Sequence, residues 1–425
     1  MNINLIKNID DLATTPNRKM ALEVIEAGLE AISTEKIIQD KIKLENNILS
    51  VNGEGFDLNK FKNIKIIGFG KAAPLSAVIL EEILGSRIKE GAVIGLEKIN
   101  LNRIEAFWGT HPRPSGVNVP AGKKIYEIIK NSSEEDLIIV LVSGGGSALL
   151  CSGEEEYMQG AKLYDNFLGS GKTITEMNTV RKHLSLFKGG GLAKIAYPAT
   201  VISFIFSDVP GDVFADVASG PTYKDTTTIE DARKIIAENN LGEFNLIETP
   251  KEDKYFEKVH NFVLVSNKTA VEAMVKKAEE FGLETKIVST DLYDEVNEAL
   301  KKIFSEQNTV NFVVLAAGEP KVAVPKNGGK GGRNLHMGLS VIKNKLIDNN
   351  SVFVSLASDG MDNSDVAGAI VDKNTIEKAE KLCLKADDYL TRFDSYNFFQ
   401  KTSDLIKTGP TGANVSDLMI LLTKK

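Results

Sequence analysis

LIIVLVSGGGSALL, from Leu137 to Leu150, is the segment of this chain that says most about its architecture. A run of aliphatic residues leads into Ser143, three glycines and Ser147, and then into helix-forming residues. The apolar run predicts a buried parallel strand, and Ser147 is a suitable N-cap for a following helix. Three glycines let backbone N–H groups turn inward at a helix N-terminus, which favours an anion. The segment predicts either a tight turn or a phosphate or carboxylate cradle, and the number of glycines favours the cradle.

Length and composition limit the class of protein. A chain of 425 residues, 42% hydrophobic and 26% charged, is expected to form two globular domains. The net charge of −7 argues against binding to nucleic acid or to an anionic membrane. Cys151 and Cys383 give neither a disulfide framework nor metal-ligand spacing. Charged residues interrupt the N-terminal segment where a signal peptide needs its apolar core, and no apolar run could span a membrane. We therefore expect a cytoplasmic protein.

Short apolar runs alternate with amphipathic helical stretches along the chain. This pattern predicts parallel sheets covered by helices on both faces. We expect two α/β domains, residues 1–250 and 251–425, because the region 243–258 is charged and weakly periodic. Helices are predicted over 17–44, 72–84, 178–197, 268–281 and 294–304. Strands are predicted over 64–69, 92–96, 137–143, 200–206, 262–266, 285–289, 311–317, 352–357 and 417–422.

Two other glycine-rich segments match nucleotide-binding motifs only in part. Gly68-Phe69-Gly70-Lys71 follows the first predicted strand but lacks the third glycine of a dinucleotide-binding fingerprint. Lys71 is either a solvated surface lysine or a cation that neutralises a phosphate or carboxylate. Residues 169–173, GSGKT, look like the end of a Walker loop, but Asn166 stands where that loop needs glycine. A helical stretch also precedes GSGKT, so we interpret it as a chance match.

A basic segment begins at Asn178 and ends in three glycines. In a helix over 178–197, one broad face would carry Arg181, Lys182, Ser185 and Lys188. Such a face is usually only solvated, but the adjoining glycines and Asn178 favour an anion-binding surface.

An aspartate follows the predicted strand 200–206. Asp208 precedes Val209-Pro210-Gly211-Asp212. A carboxylate at a strand end can accept a proton from a substrate hydroxyl or hold a magnesium ion. An aspartate beside Pro-Gly can also simply cap its own turn. The sequence leaves both interpretations of Asp208 open.

The second half of the chain repeats the same residue types at strand ends. These are the carboxylates Glu319, Asp359 and Asp362, the helix-opening residues Gly331, Gly332, Arg333 and Asn334, and the loop residues Thr411 and Asn414. Each half therefore supplies backbone donors, a basic group and carboxylates. Phosphoryl transfer needs these parts to neutralise phosphate oxygens, hold magnesium and position an acceptor.

Several motifs occur together in one order: SGGGSALL, NTVRKHLSLFKGGGLA, SDVPGDVFADVASGPT, AGEP with GGKGGRN, SDGMD with AGA, and GPTGANVSDL. In these motifs the chain resembles the type II glycerate kinases, the glycerate 2-kinase family, whose C-terminal module is called MOFRL. The resemblance extends from about Lys19 to the C-terminus. The chain departs from the family pattern at Leu335-His336, Asn363-Ser364 and Ala413.

The resemblance implies ATP-dependent phosphorylation of D-glycerate, usually to 2-phosphoglycerate, with Mg²⁺ or another divalent cation. It also implies two α/β domains with mostly parallel sheets and an active site in the cleft between them. On this basis Lys71 and Arg333 are expected to neutralise the glycerate carboxylate and the transferring phosphoryl group. Asp208 is expected to be the base that takes the proton of the acceptor hydroxyl. Phosphates or substrate are bound by Ser143, Gly144, Gly145, Gly146, Ser147, Gly331, Gly332, Asn334, Thr411 and Asn414. Asn178, Arg181 and Lys182 orient the substrate, and Glu319, Asp359 and Asp362 are the candidate magnesium ligands.

Two alternative functions remain. A hydroxypyruvate reductase would need a nicotinamide site, for which the chain offers only the incomplete turn at Gly68. A two-lobed sugar-acid binding protein would not need so many carboxylates and basic groups. We expect a monomer or homodimer that acts on small molecules.

Overall fold

A computed structural model describes residues 4–167, 174–209, 213–306, 311–325 and 327–425 of the chain. Two segments discussed above lie outside these residues: GSGKT at 169–173, interpreted as a chance match to a Walker loop, and the turn at 210–212. The strands are β1 (Ile42–Glu45), β2 (Ile48–Val51), β3 (Glu54–Asp57), β4 (Asn63–Phe69), β5 (Ile88–Gly95), β6 (Ile104–Trp108), β7 (Asp136–Ser143), β8 (Thr200–Phe206), β9 (Val259–Val265), β10 (Glu284–Leu292), β11 (Phe312–Gly318), β12 (Ser351–Ala357), β13 (Gly368–Val371), β14 (Leu405–Ile406) and β15 (Asp417–Thr423). The helices are α1 (Ile9–Leu12), α2 (Pro16–Ala31), α3 (Thr34–Lys41), α4 (Ala73–Leu84), α5 (Val119–Ile129), α6 (Gly146–Leu149), α7 (Glu154–Phe167), α8 (Ile174–Lys182), α9 (Gly191–Ala196), α10 (Ile229–Glu238), α11 (Asn267–Glu280), α12 (Val296–Ser305), α13 (Arg333–Lys343), α14 (Lys373–Lys381), α15 (Ala386–Thr391) and α16 (Ser395–Thr402).

The chain divides into two compact units. The central unit is Ile37–Leu264, and the terminal unit combines the segment that ends at Lys36 with Val265–Lys425. This division differs from the predicted one at residue 250 in two respects. The N-terminal helices pack with the C-terminal half of the chain, and β9 pairs at the edge of the central unit's sheet.

The central unit is built on a six-stranded sheet in the order β6-β5-β4-β7-β8-β9. The first five strands in this order pair in parallel. All eight residues of β7 are buried, as expected for a strand covered on both faces. A separate three-stranded antiparallel sheet, β1-β2-β3, precedes it. The carboxyl ends of β4, β7 and β8 therefore open onto the same edge of one sheet.

The terminal unit has a mixed six-stranded sheet in the order β10-β11-β15-β12-β13-β14. Strand β15 is buried throughout and runs antiparallel to both of its neighbours, β11 and β12. The predicted α/β class is confirmed, but the sheets are not both mostly parallel, because β15 and β13 each run antiparallel to both of their neighbours. Of the described helices, none is long and apolar enough to cross a membrane.

The N-terminal helix α2 is fixed to the terminal unit by a buried ion-pair cluster. Thr15 caps α2, and Pro16 is its first residue. The fully buried guanidinium of Arg18 lies 2.8 Å from carboxylate oxygens of both Asp372 and Asp404. Helix α2 also packs against α11 and against β12 and β15. Contacts far apart in sequence therefore decide which unit this helix joins.

All nine predicted strands are present. The prediction missed β1, β2, β3, β6, β13 and β14, which are short or partly exposed. The helix predicted over 17–44 gives way to α2, α3 and the strand β1. The helix predicted over 178–197 is wrong as a single element, because α8 ends at Lys182 and α9 begins only at Gly191.

Candidate active site

The loops that follow β4 and β7 are joined to each other by hydrogen bonds. The backbone N–H of Lys71 donates to the carbonyl of Gly144 (2.9 Å), and the N–H of Ala72 donates to Ser143 Oγ (3.0 Å). At Gly70, φ is +117°, and a Cβ there would lie 2.3 Å from Ser143 Oγ. The Gly70–Lys71 turn and the glycine loop 143–147 thus form one rigid structure at the sheet edge.

The glycine loop departs from its predicted capping. The N-cap of α6 is Gly145, with φ of +84°, and Ser147 lies inside the helix. Helix α6 has only four residues, so its dipole contributes little to anion binding. Its first N–H groups nevertheless have no partner within their own helix. Backbone donors, and not the helix dipole, are what this loop offers a phosphate or carboxylate.

Two side chains flank the glycines of this loop. A Cβ on Gly144 would lie 2.0 Å from Asp208 Oδ2, and a Cβ on Gly145 would lie 3.1 Å from the ring of His111. Asp208 follows β8, as predicted, and its carboxylate lies directly against the loop. His111 was not predicted from the sequence, although it lies just past the end of β6, the same kind of position that identified Asp208.

A chain of polar side chains leads from the loop to helix α8. Ser147 Oγ lies 2.9 Å from Ser219 Oγ, and Ser219 Oγ donates to Asn178 Oδ1 at 3.2 Å. Arg181 Nη1 donates to the same Asn178 oxygen at 3.1 Å. The structure thus brings together the predicted residues Ser147, Asn178 and Arg181. Ser219 was missed, and its place in the motif ASGPT was the only available signal.

Lys182 does not join this group. Its ammonium pairs with Asp216 (3.2 Å) and Asp225 (3.4 Å). Lys188 is buried, where it pairs with Glu156 at 2.5 Å. Because α8 ends at Lys182, the predicted common basic face of Arg181, Lys182, Ser185 and Lys188 is not formed. Lys182 and Lys188 hold the central unit together, and Arg181 alone faces the polar chain.

In the terminal unit, Arg333 is held by two carboxylates. Its Nε bonds Asp417 Oδ2, and its Nη2 lies 3.0 Å from Glu319 Oε1. Burial raises the pKa of Asp417 to about 7, although the charge of Arg333 acts in the opposite direction. Sequence analysis missed Asp417, which begins the strand β15. Arg333 and Glu319 are each half-buried, so this ion pair remains accessible to solvent.

Asp362 caps helix α13. Its carboxylate accepts hydrogen bonds from the backbone N–H groups of Asn334 (3.1 Å) and Leu335 (2.8 Å) and from the Asn334 amide (3.1 Å). Burial raises the pKa of Asp362. Asn334 also accepts a hydrogen bond from Ser355, and a Cβ on Gly332 would lie 2.3 Å from the Asp362 carboxylate. Asp362, Asn334 and Gly332 therefore shape the start of the helix.

The remaining predicted residues of this unit lie in tight turns. Thr411 Oγ1 donates to the carbonyl of Ser358 (2.6 Å), and Asn414 Oδ1 accepts from the N–H of Ser416 (3.4 Å). Asp359 Oδ1 accepts from the N–H of Met361 (3.0 Å). At Gly331 a Cβ would lie 2.3 Å from Ser395 Oγ. These contacts define loop shape, and none of them identifies a ligand.

The predicted magnesium ligands do not form a metal shell. Within the described part of the chain, no three His, Cys, Asp or Glu side chains are grouped so as to hold a metal ion. Asp362 is occupied by three donors, and Glu319 by Arg333. Glu319, Asp359 and Asp362 therefore do not fit a preformed protein site for Mg²⁺.

Parallel strands that end in glycine-rich loops are typical of α/β proteins, which bind small ligands at this edge of the sheet. Residues 20–248 match a family model described as a domain of unknown function (DUF4147), and residues 312–417 match the MOFRL family. The chain is 33% identical to the glycerate 2-kinase of Pyrococcus horikoshii, over 95% of this chain and 97% of that protein. It therefore belongs to the glycerate 2-kinase family, as the motifs predicted.

Two further relatives are similar over most of the chain. A protein of Agrobacterium vitis named putative hydroxypyruvate reductase is 32% identical over 84% of this chain and 86% of that protein. The crystal structure of glycerate kinase from Thermotoga maritima superposes with a TM-score of 0.82 at 29% identity. That likeness covers 95% of this chain and 99% of the other, and it confirms the two-domain α/β architecture.

Proposed function

We propose that the protein transfers the terminal phosphoryl group of ATP to D-glycerate and forms 2-phosphoglycerate. One observation carries the proposal: the Asp208 carboxylate lies against Gly144 of a glycine loop at the carboxyl end of a parallel strand. An acceptor hydroxyl and a phosphate can thus be held side by side. The names of the curated relatives support the acceptor and the class of reaction.

In this proposal the backbone N–H groups of the loop 143–147 bind phosphate oxygens. Lys71, whose backbone is hydrogen-bonded to Gly144, adds a positive charge at the same edge. Such fixed donors stabilise the charge of a transferring phosphoryl group without having to reorient. Because the Gly70–Lys71 turn is joined to the loop, the backbone of the lysine is held beside the donors.

Asp208 orients the acceptor hydroxyl and takes its proton. A loose phosphoryl-transfer transition state needs little deprotonation of the nucleophile until late in the step. The carboxylate therefore serves mainly to aim the hydroxyl, and it accepts the proton as the new P–O bond forms. The flanking ring of His111 restricts the space beside Gly145 in which the acceptor can lie.

Arg333 is the basic group proposed for the terminal unit. Asp417 is buried and holds the guanidinium in one orientation, whereas Glu319 is half-buried. A phosphate can replace Glu319 on the Arg333 guanidinium while Asp417 stays bound. A guanidinium binds carboxylate and phosphate in the same planar geometry. The use of a divalent cation and the placement of the active site between two domains stay predictions.

Phosphorus NMR of a mixture of the protein, ATP and D-glycerate tests this function. We expect the resonance of 2-phosphoglycerate to grow as ATP is consumed. A product with the 3-phosphoglycerate resonance contradicts the assigned hydroxyl, and no transfer contradicts the kinase. Oxidation of NADH with hydroxypyruvate in the absence of ATP would instead support the reductase alternative.

A further inference from the structure

The buried basic side chains of the described residues are paired with carboxylates. Arg18 pairs with Asp372 and Asp404, Lys65 with Asp136, and Lys188 with Glu156. Arg181 is half-buried and differs from them. Across the described part of the chain no carboxylate lies within ion-pair distance of it, and its guanidinium bonds Asn178 Oδ1 (3.1 Å) and Met177 Sδ (3.2 Å).

An uncompensated guanidinium in this position destabilises the free protein. Burial lowers the pKa of Arg181 to about 10, because the charged form loses hydration without gaining a negative partner. A protein rarely retains such a charge unless an anion pairs with it in some functional state. Because none of the described carboxylates pairs with Arg181, we expect a ligand to supply the anion.

A small pocket beside the glycine loop carries the charge of Arg181. Arg181 lines a pocket together with Ser147, Cys151, Glu156 and Lys188. Glu156 and Lys188 neutralise each other at 2.5 Å, so the unbalanced positive charge of this pocket is that of Arg181. Ser147 is also part of the glycine loop, which places the pocket beside the proposed phosphate site.

We propose that Arg181 binds the carboxylate of the acceptor and so makes the enzyme select a 2-hydroxy acid over a neutral polyol. The planar guanidinium matches a carboxylate through two parallel hydrogen bonds. Asn178 orients the guanidinium, and the hydroxyls of Ser219 and Ser147 extend the same polar chain to the glycine loop. The identity of the acid rests on the proposed function, whereas the need for an anion does not.

Thermal unfolding of Arg181→Met, without nucleotide, tests the binding role. We expect the variant alone to melt at the wild-type temperature or higher, because it loses an unpaired charge. D-Glycerate should raise the melting temperature of the wild type and leave that of the variant unchanged. Arg233→Met, at an exposed arginine that pairs with Glu230, is the matched control and should keep the wild-type response.

Two results of this experiment overturn the proposal. One is a lower melting temperature for Arg181→Met with the D-glycerate response retained, which assigns Arg181 a structural role. The other is loss of the response to ADP with the response to D-glycerate retained, which assigns the anion to a nucleotide phosphate. Because no turnover is measured, a protein that fails as a kinase can still show the glycerate response.

Acceptor specificity provides the second measurement. For Arg181→Gln we expect kcat/KM with D-glycerate to fall about 10- to 100-fold, the usual loss for a hydrogen bond between charged groups. The kcat/KM with neutral glyceramide should change little, so the preference for the acid disappears. An equal loss with both acceptors overturns the assignment of Arg181 to the carboxylate.

Discussion

The carboxylate of Asp208 fills the space beside Gly144 in which any other residue would place its Cβ. The distance from that Cβ position to Asp208 Oδ2 is 2.0 Å, well inside van der Waals contact. Gly144 is thus needed for two reasons: it forms the turn, and it lets the Asp208 carboxylate approach the backbone. Two predictions follow from this contact, one for each residue.

Gly144→Ala is expected to displace Asp208 and lower kcat by about 10²-fold, the scale of a misplacement near 1 Å at a reacting group. Gly153→Ala is the matched control, because a Cβ at Gly153 meets no heavy atom within 4 Å. Steady-state kinetics with D-glycerate and ATP measures both variants. Wild-type kcat in Gly144→Ala would separate Asp208 from the reaction.

Asp208→Asn keeps the shape of the side chain but removes the proton acceptor. We expect the fold and the affinity for nucleotide to be retained and kcat to fall by roughly 10² or more, as for loss of a general base. Asp165→Asn, at an exposed aspartate paired with Arg113, should stay near wild type. A kcat within a few-fold of wild type in Asp208→Asn moves the role to Asp212, Asp359 or a water molecule.

Arg18→Met tests the assignment of the N-terminal helix to the terminal unit. The substitution removes the cation from buried Asp372 and leaves buried Asp404 paired only with Lys378, so we expect the free energy of unfolding to fall by about 3 kcal/mol. Lys19→Met alters an exposed lysine on the same helix. This control should change the free energy of unfolding by less than about 0.5 kcal/mol. Urea unfolding measures both, and equal stabilities would contradict the cluster's role.

Arg333→Lys is expected to weaken both stability and activity. A lysine cannot reproduce the fork that reaches Asp417 and Glu319 together. We expect a fall of at least about tenfold in kcat/KM, with a lower melting temperature because Asp417 is buried. Lys343→Met, at an exposed lysine near the end of α13, is the control. Unchanged turnover in Arg333→Lys would remove Arg333 from the site.

Asp225 makes part of the stability of the central unit depend on pH. Burial acts to raise its pKa, but hydrogen bonds from Thr227 and the charges of Lys182 and Lys251 hold the pKa below its usual range. With a depressed pKa in the folded state, Asp225 stabilises the protein above the unfolded-state value of about 3.9. That contribution is lost as the pH falls through the lower, folded-state pKa.

Asp225→Asn should therefore be less stable than wild type at neutral pH and should lose part of the acid dependence below about pH 4. Denaturant unfolding at a series of pH values measures the difference. Asp253→Asn, at an exposed aspartate, is the control and should keep the wild-type profile. Parallel profiles for Asp225→Asn and wild type would show that Asp225 has no such role.

The sequence by itself determined nine of the fifteen described strands and the loops at their ends. All nine predicted strands are present, and the reason is clearest for β7, β12 and β15, which are buried throughout and therefore mostly apolar. The motifs determined the family for the same kind of reason: they are continuous segments that can be read without a structure. Asp208 was identified in this way, from its position immediately after β8.

Only the tertiary structure decided which charges are compensated. Lys182 and Arg181 are adjacent in sequence, yet Lys182 pairs with Asp216 and Asp225, whereas no described carboxylate pairs with Arg181. The role of Asp362 was likewise decided by the tertiary structure, since it caps a helix that begins 29 residues earlier, at Arg333. Partners of this kind lie far away along the chain, and burial, which sets the cost of an unpaired charge, is a property of the packed molecule. For that reason the residue types of the site were predictable, and their division into structural and ligand-binding groups was not.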